Sequence, residues 1–370
     1  MKEHSFTPYI KEILNKAFKD KSEDIYEKSP LLQYLNLKTK SANRGSKSRS
    51  SFANLYAIYV VVEDYINHGF HKNKEYSKYE GAQYSILFKR QRELPFGEKL
   101  QNHALNNRMN AEFQKFFPTS ELTPIIRDLE TNRYWINENL LLIKVGKKNY
   151  NIATSIIEII DKYITIKQQS LRQFIQQCQQ LQELSTSDSR KVKSFIESLL
   201  APNVDARLFE IVSYSILKFF YKDQTIIWGY DLDSLNTEAL RLYKTGRTNA
   251  NDGGIDFVMK PLGRFFQVTE TLDFRKYFLD IEKIERYPIT FVIKTNDTVS
   301  TIRSELRENA IDTYKVEKVV DKFMNCIEEI INIPILIDCL SKVIDKGGIK
   351  NILDEIMLQS KVEFNYTDDE

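Results

Sequence analysis

The sequence predicts an α/β chain of the α+β kind, a mainly helical N-terminal part followed by a small mixed sheet flanked by helices. Three observations carry that prediction. Apolar residues recur at helical spacing through most of the first 184 residues. Between 225 and 310, short runs rich in β-branched and aromatic residues alternate with helical patterns. Four of the 12 glycines (Gly246, Gly253, Gly254, Gly263) fall between 246 and 263, so tight turns are concentrated there.

Taken in order, "SFTPYIKEILNKAFKD" has the periodicity and Ser/Thr start of a capped helix. Residues 37–51, "LKTKSANRGSKSRSS", carry Lys38, Lys40, Arg44, Lys47 and Arg49 with no acid, which predicts a solvated basic loop. "FANLYAIYVVVEDYI" reads as a buried helix or a strand-like run, and the stretch from 112 to 143 as further helix with one strand. A long helix, single or broken once, follows to 184, with a Gln-rich polar face. The cluster "STSDSR" at 185–190 ends it and caps the next, so a domain boundary is expected there. Two helices come next, the second running through Phe209, Val212, Ile216 and Phe219. Strands are predicted at "TIIWGYD", "GGIDFVMK" and "RFFQVTET", then a helix, a strand at "ITFVIKT" and a helix from "TVSTIRSELRENA". The remainder, 311 to about 360, reads as helical before an acidic tail. The expected parts are therefore 1–190, 191–310 and 311–370.

Lys+Arg of 53 against Asp+Glu of 51 leaves a net charge of +2, so any affinity for nucleic acid must come from a local patch. Cys178, Cys326 and Cys339 include no C-x-x-C pair, which predicts free thiols in a reducing compartment. The first residues are amphipathic without an apolar signal core, and the run "LYAIYVVV" is too short to cross a bilayer. A cytoplasmic protein with no membrane partner is expected.

The chemistry centres on "DGGIDFVMKPLGRFFQVTE", residues 252–270. Two glycines let the chain bend sharply before Asp256, and a paired strand brings Gln267 beside it. A carboxylate and an amide oxygen on adjacent strands form a hard-oxygen pair suited to Mg2+, with the Val268 carbonyl as a third ligand and Glu210, on the helix before the sheet, completing the set. A strand register slipped by one residue would put Glu270 in place of Gln267. An ordinary turn with an edge-strand glutamine would show the same pattern.

Over residues 191–310 the order of elements, with Glu210 on a helix, "DGGID" closing on Asp256, and Gln267-Val268-Thr269, resembles the PD-(D/E)xK nuclease superfamily. Within it, the likeness is to Mrr-like and type II restriction endonucleases that use Gln for the second acid. The resemblance implies a restriction-endonuclease-like fold, Mg2+-dependent hydrolysis of double-stranded DNA at specific sites, and a homodimer. Where that family has its lysine, this chain has Thr269. Lys260, on the strand face of Asp256 by parity, and Lys294, at the end of the next strand, are the first candidates to replace it; Lys276 and Lys218 are others. A DNA-binding protein that has lost catalysis, a modification-dependent nuclease and a purely structural helical protein stay open beside this reading.

Two segments are candidates for DNA contact. The basic loop (Lys38, Lys40, Arg44, Lys47, Arg49) suits phosphates. In "FGEKLQNHALNNRMNAEF", Gln101, Asn102, Asn106, Asn107 and Arg108 are residue types that read base edges, although a polar helix face has the same composition. His68 and His71 lack partners at zinc spacing and read as surface histidines.

Overall fold

The computed structural model describes residues 3–40, 48–72, 75–98, 100–184, 188–245, 255–270 and 272–364, without the side chains of residues 48–50. The chain divides into two compact units, Met1–Phe174 and Ile175–Glu370. The division lies inside a long helix, not at the 185–190 cluster.

The first unit contains α1 (Thr7–Phe18), α2 (Ser22–Lys28), α3 (Pro30–Thr39), α4 (Ser48–Asn67), β1 (Ala82–Gln83), α5 (Tyr84–Glu93), a π-helical turn at Ala104–Arg108, α6 (Met109–Phe116), β2 (Ile125–Asp128), β3 (Arg133–Ile136), β4 (Leu142–Val145) and β5 (Lys148–Asn151). The helix α7 (Ala153–Leu184) starts here and ends in the second unit. The run "FANLYAIYVVV" is helix: Leu55 to Val62 are all buried in the core of this unit, because α4 is surrounded and has no polar face to alternate with. Five strands occur where one was expected, in a β1-β3-β2 sheet and a β4-β5 hairpin. At two to four residues each, they are too short for a period of two to show.

The second unit runs α8 (Ser189–Ser198), α9 (Ala206–Tyr221), β6 (Thr225–Trp228), β7 (Asn236–Ala239), β8 (Arg241–Lys244), β9 (Phe257–Lys260), β10 (Arg264–Thr269), α10 (Phe274–Lys283), β11 (Ile289–Ile293), α11 (Val299–Tyr314), α12 (Glu317–Met324), β12 (Ile327–Ile331), α13 (Ile333–Asp345) and α14 (Ile349–Phe364). Five strands form one mixed sheet in the order β12-β11-β10-β9-β8. β8, β9 and β10 form an antiparallel meander, while β10, β11 and β12 are parallel. β11 reads ITFVI and is buried at every position, as a central strand covered on both faces requires.

Helices cover the two faces. On one, Tyr214 and Tyr221 of α9 pack on Phe257 (ring centroids 5.2 Å apart) and Phe266 (6.2 Å). On the other, Tyr277 of α10 packs on Phe291 at 4.5 Å and Phe278 stacks on Phe323 of α12 at 4.4 Å. Asp205 starts α9 by accepting from the backbone N–H of Arg207 (2.7 Å) and Leu208 (3.1 Å).

Three expectations are corrected here. "TIIWGYD" does form a strand, but β6 pairs only with β7, in a hairpin apart from the main sheet. β8 and β12 were not foreseen; β12 lies in the stretch read as wholly helical, where its isoleucines fit either period. The boundary at 310 falls inside α11, and β12 joins the same sheet as β9 and β10, so 311–364 does not stand apart from it. Cys178, Cys326 and Cys339 are buried and unbridged. No described helix is long and apolar enough to cross a membrane.

Candidate functional site

Strand directions bring the chemistry to one end of the five-stranded sheet. β8 and β10 run the same way because both are antiparallel to β9, so the end of β8 (Lys244), the start of β9 (Asp256) and the end of β10 (Thr269) coincide. β11 is parallel to β10, which adds Lys294 just past its last residue, and the N-terminal turns of α9 bring Arg207 and Glu210. Ligands of open sheets commonly bind at such carboxyl-terminal strand ends.

Asp256 sits where β9 begins. Its backbone N–H donates to the Phe266 carbonyl (2.9 Å), and its Oδ2 accepts the Val268 N–H at 2.7 Å, replacing the ladder partner that β9 would otherwise supply. Within a strand, N–H and C=O of one residue point to the same side, so the Val268 carbonyl opens toward Asp256 as well. Gln267 is buried on the face that carries Phe291, its register partner on β11. Its Nε2 donates to the Val268 carbonyl (3.2 Å), and its Oε1 is buried with no hydrogen-bond partner among the described residues. Such an orphaned acceptor is costly unless something not yet counted satisfies it.

Glu210 is buried and holds two cations: Oε1 accepts from Lys244 Nζ at 3.0 Å, and Oε2 from the Arg207 guanidinium one helical turn earlier. Burial, and then the Glu210 charge, push the Asp256 carboxyl up to about 7 from its ordinary 3.8; the Val268 N–H, Arg207 and Lys244 pull the other way. A carboxyl that titrates near neutrality in a polar pocket is a common mark of a functional site. Among the described residues, no three His, Cys, Asp or Glu side chains are gathered closely enough to hold a metal ion. A set built on Asp256, Gln267 Oε1 and the Val268 carbonyl draws only one member from those types. These oxygens are of the type a hard divalent cation takes, and an ion here would satisfy Gln267 Oε1 and neutralise Asp256 once Gln267 Nε2 releases the Val268 carbonyl. Glu210 reaches such an ion only through water or by releasing Lys244 or Arg207.

The lysine candidates separate clearly. Lys260 is exposed, at the far end of β9, four residues or about 13 Å along the strand from Asp256, and its ammonium lies 6.0 Å from the Tyr243 ring centroid. The parity argument placed it on the right face at the wrong end. Lys294 is at the right end, but its ammonium is held by Glu270 and the Val204 carbonyl. Lys218 pairs with Glu355 at 2.8 Å. Lys276 Nζ donates to Thr269 Oγ1 at 3.1 Å, and Thr269 is itself buried. Glu270 is bound to Lys294, so the alternative register does not put it in the place of Gln267.

No family model, curated protein or solved structure matches this chain. The site therefore stands on its own geometry.

The DNA-contact candidates are treated differently by the fold. Lys38 is corrected: it lies in the last turn of α3, buried, with Nζ 2.7 Å from Glu112 Oε1, while Asn54 Nδ2 donates to the other Glu112 oxygen at 2.5 Å. It holds helices together and does not face a phosphate. Lys40, one residue beyond α3, is exposed. Arg44 and Lys47 lie outside the described residues, as does the side chain of Arg49. Asp252, Gly253 and Gly254 also lie outside them. Asn106 accepts from the Tyr134 hydroxyl (3.0 Å) and is tied into the first unit, whereas Gln101, Asn102, Asn107 and Arg108 are exposed along and just before the π-helical turn.

Two site residues were missed from the sequence. Arg207 was within reach of that reasoning, since it lies three residues before Glu210 on one helix face. Lys244 was not, because nothing in "RLYK" marked β8 as a strand.

Proposed function

We propose that this strand-end cluster is a divalent-metal-dependent phosphodiesterase centre of the PD-(D/E)xK kind, and that the protein is a Mg2+-dependent endonuclease acting on double-stranded DNA. The observation that carries this reading is the buried pair at the β9/β10 end: the Asp256 carboxyl, held above its ordinary pKa by burial, and a Gln267 carbonyl oxygen with no partner among the described residues. With the β6–β7 hairpin set aside as an insertion, the αβββαβ order from α9 to β11 supports it, with acid, acid and amide in the sequence the resemblance requires.

In this reading Asp256, Gln267 Oε1 and the Val268 carbonyl hold Mg2+, which when bound polarises the phosphodiester and lowers the pKa of the attacking water. Asp256 must be ionised to bind the cation and burial favours its protonated form, so Mg2+ competes with a proton there and its binding weakens as pH falls. Arg207 and Lys244 keep Glu210 charged and in place, and provide positive charge near the phosphate path. The first unit would contact DNA through Lys40 and the exposed Gln101, Asn102, Asn107 and Arg108, and a two-fold dimer would match a palindromic site.

A second reading, a DNA-binding protein without catalysis, is favoured by one observation: both Glu210 oxygens are already occupied by cations. A gel assay on phage and plasmid DNA, unmethylated and methylated, with Mg2+ or EDTA decides between them. Discrete Mg2+-dependent fragments lost in Asp256→Ala are expected; cleavage by that variant at the wild-type rate refutes the assignment. Binding without cleavage under Mg2+ and Mn2+ on both DNA forms establishes the second reading.

A further inference from the structure

We infer that Lys276, reaching from α10 to Thr269, supplies the positive charge that the end of β10 lacks, and that its ligand is a phosphate oxygen of the bound backbone. The inference rests on the phosphodiesterase reading above.

Four observations converge on it. First, side chains alternate along a strand, so Thr269 shares the face of Gln267, one step nearer the strand end. Second, Lys276 Nζ is 3.1 Å from Thr269 Oγ1, so the ammonium occupies the space a longer side chain at 269 would fill. Third, its base is anchored: Phe274, Tyr277 and Phe278 on either side are buried, and Tyr277 packs on Phe291 of β11. Fourth, among the described residues no carboxylate pairs with Lys276, while Lys244 and Lys294 are held by Glu210 and Glu270. Among the described residues it is the lysine at this strand end that has no carboxylate partner.

The placement also breaks a local rule. Lys276 is the third residue of α10, in the first turn, where the helix dipole disfavours a cation and the N-terminus already carries positive potential. Lysine there gains nothing for the helix that a neutral residue would not, and such unrewarded departures concentrate at functional positions. The N-terminus of α10 is itself capped by Asp273, whose carboxylate accepts the Arg275 N–H at 3.1 Å, so the anion site rests on the ammonium. Thr269 Oγ1 accepts one hydrogen bond from the Lys276 ammonium. The role is electrostatic and positional, and Lys276 gives up no proton.

The test uses the full chain and the variants Lys276→Met, Thr269→Lys and the two combined, with cleavage rate and duplex-DNA affinity both measured. Lys276→Met is expected to lower the Mg2+-dependent rate by about 100-fold or more. In EDTA it should reduce the slope of log affinity against log salt by about one, the signature of one lost phosphate contact. Adding Thr269→Lys should restore at least tenfold of the lost rate, because it returns an ammonium to the same space; a purely structural loss would not be rescued this way. A Lys276→Met rate within about threefold of wild type, or an unchanged salt slope, overturns the inference, as does loss without rescue. If the wild-type chain binds DNA and cleaves none, the phosphodiesterase reading fails and the salt slope alone still decides for or against Lys276. A chain that binds no DNA overturns both.

Discussion

Replacing Asp256 by Asn should make the metal-free protein more stable at neutral pH, and the size of the effect follows from the site. The Asp256 carboxyl is raised from 3.8 to about 7, chiefly by burial and then by Glu210. Folded protein therefore binds this proton more tightly than unfolded protein. Below about pH 4 both states are protonated and no penalty exists. Between about 4 and 7 the unfolded state ionises while the folded state resists, so stability falls, and above 7 the penalty is complete. About three units at 1.36 kcal/mol each sets it near 4 kcal/mol. Asparagine has the same shape and its Oδ1 can still accept the Val268 N–H now received by Asp256 Oδ2. Urea unfolding in EDTA should show Asp256→Asn less than about 1 kcal/mol from wild type at pH 4, and more stable by about 2 to 4 kcal/mol at pH 8. Millimolar Mg2+ at pH 8 should then raise the wild type alone and close the gap. Parallel stability–pH profiles for the two proteins would refute the account of Asp256 as a buried, destabilised carboxyl.

Two further outcomes test the scaffold. Lys38→Met should cost about 1 to 3 kcal/mol by urea unfolding, because it leaves Glu112 with Asn54 as its one hydrogen-bond partner among the described residues; DNA affinity should not change, and a selective loss of affinity would return Lys38 to the DNA contacts. Phe291→Ala, which empties a fully buried ring position between β11 and Tyr277, should cost about 3 to 5 kcal/mol; a cost under 1 kcal/mol would mean that α10 is not packed as described.

The elements around the site were legible because their signals are local. Asp205 caps α9, β11 is a run of β-branched and aromatic residues, and β10 follows a turn in which Gly263 takes φ +66°. Asp256 and Gln267 could be paired from the hairpin alone, and the hydrogen bonds of Asp256 run to the two neighbours of Gln267, Phe266 and Val268. What failed was anything set by tertiary context. β8 and β12 are edge strands whose short sequences carry no clear period, so the residue at the end of β8, Lys244, could not be located. Lys260 was assigned by face without regard to which end of the strand it occupies. Lys38 was read as part of a solvated run, but helix α3 extends far enough to bury it against Glu112. Lys276 had no distinguishing sequence signal beyond a cation in a first helical turn.

The β6–β7 hairpin interrupts the chain between Glu210 and the strands that carry Lys244, Asp256 and Gln267, and it pairs with no other strand among the described residues. Its tip is open to solvent, with Tyr230 96% and Leu232 87% exposed. A break at that tip would leave α9 and the sheet on separate polypeptides, each holding half of the cluster and neither complete. The hairpin thus marks a natural seam at which the protein could be divided into two silent fragments that regain their chemistry only on reassociation.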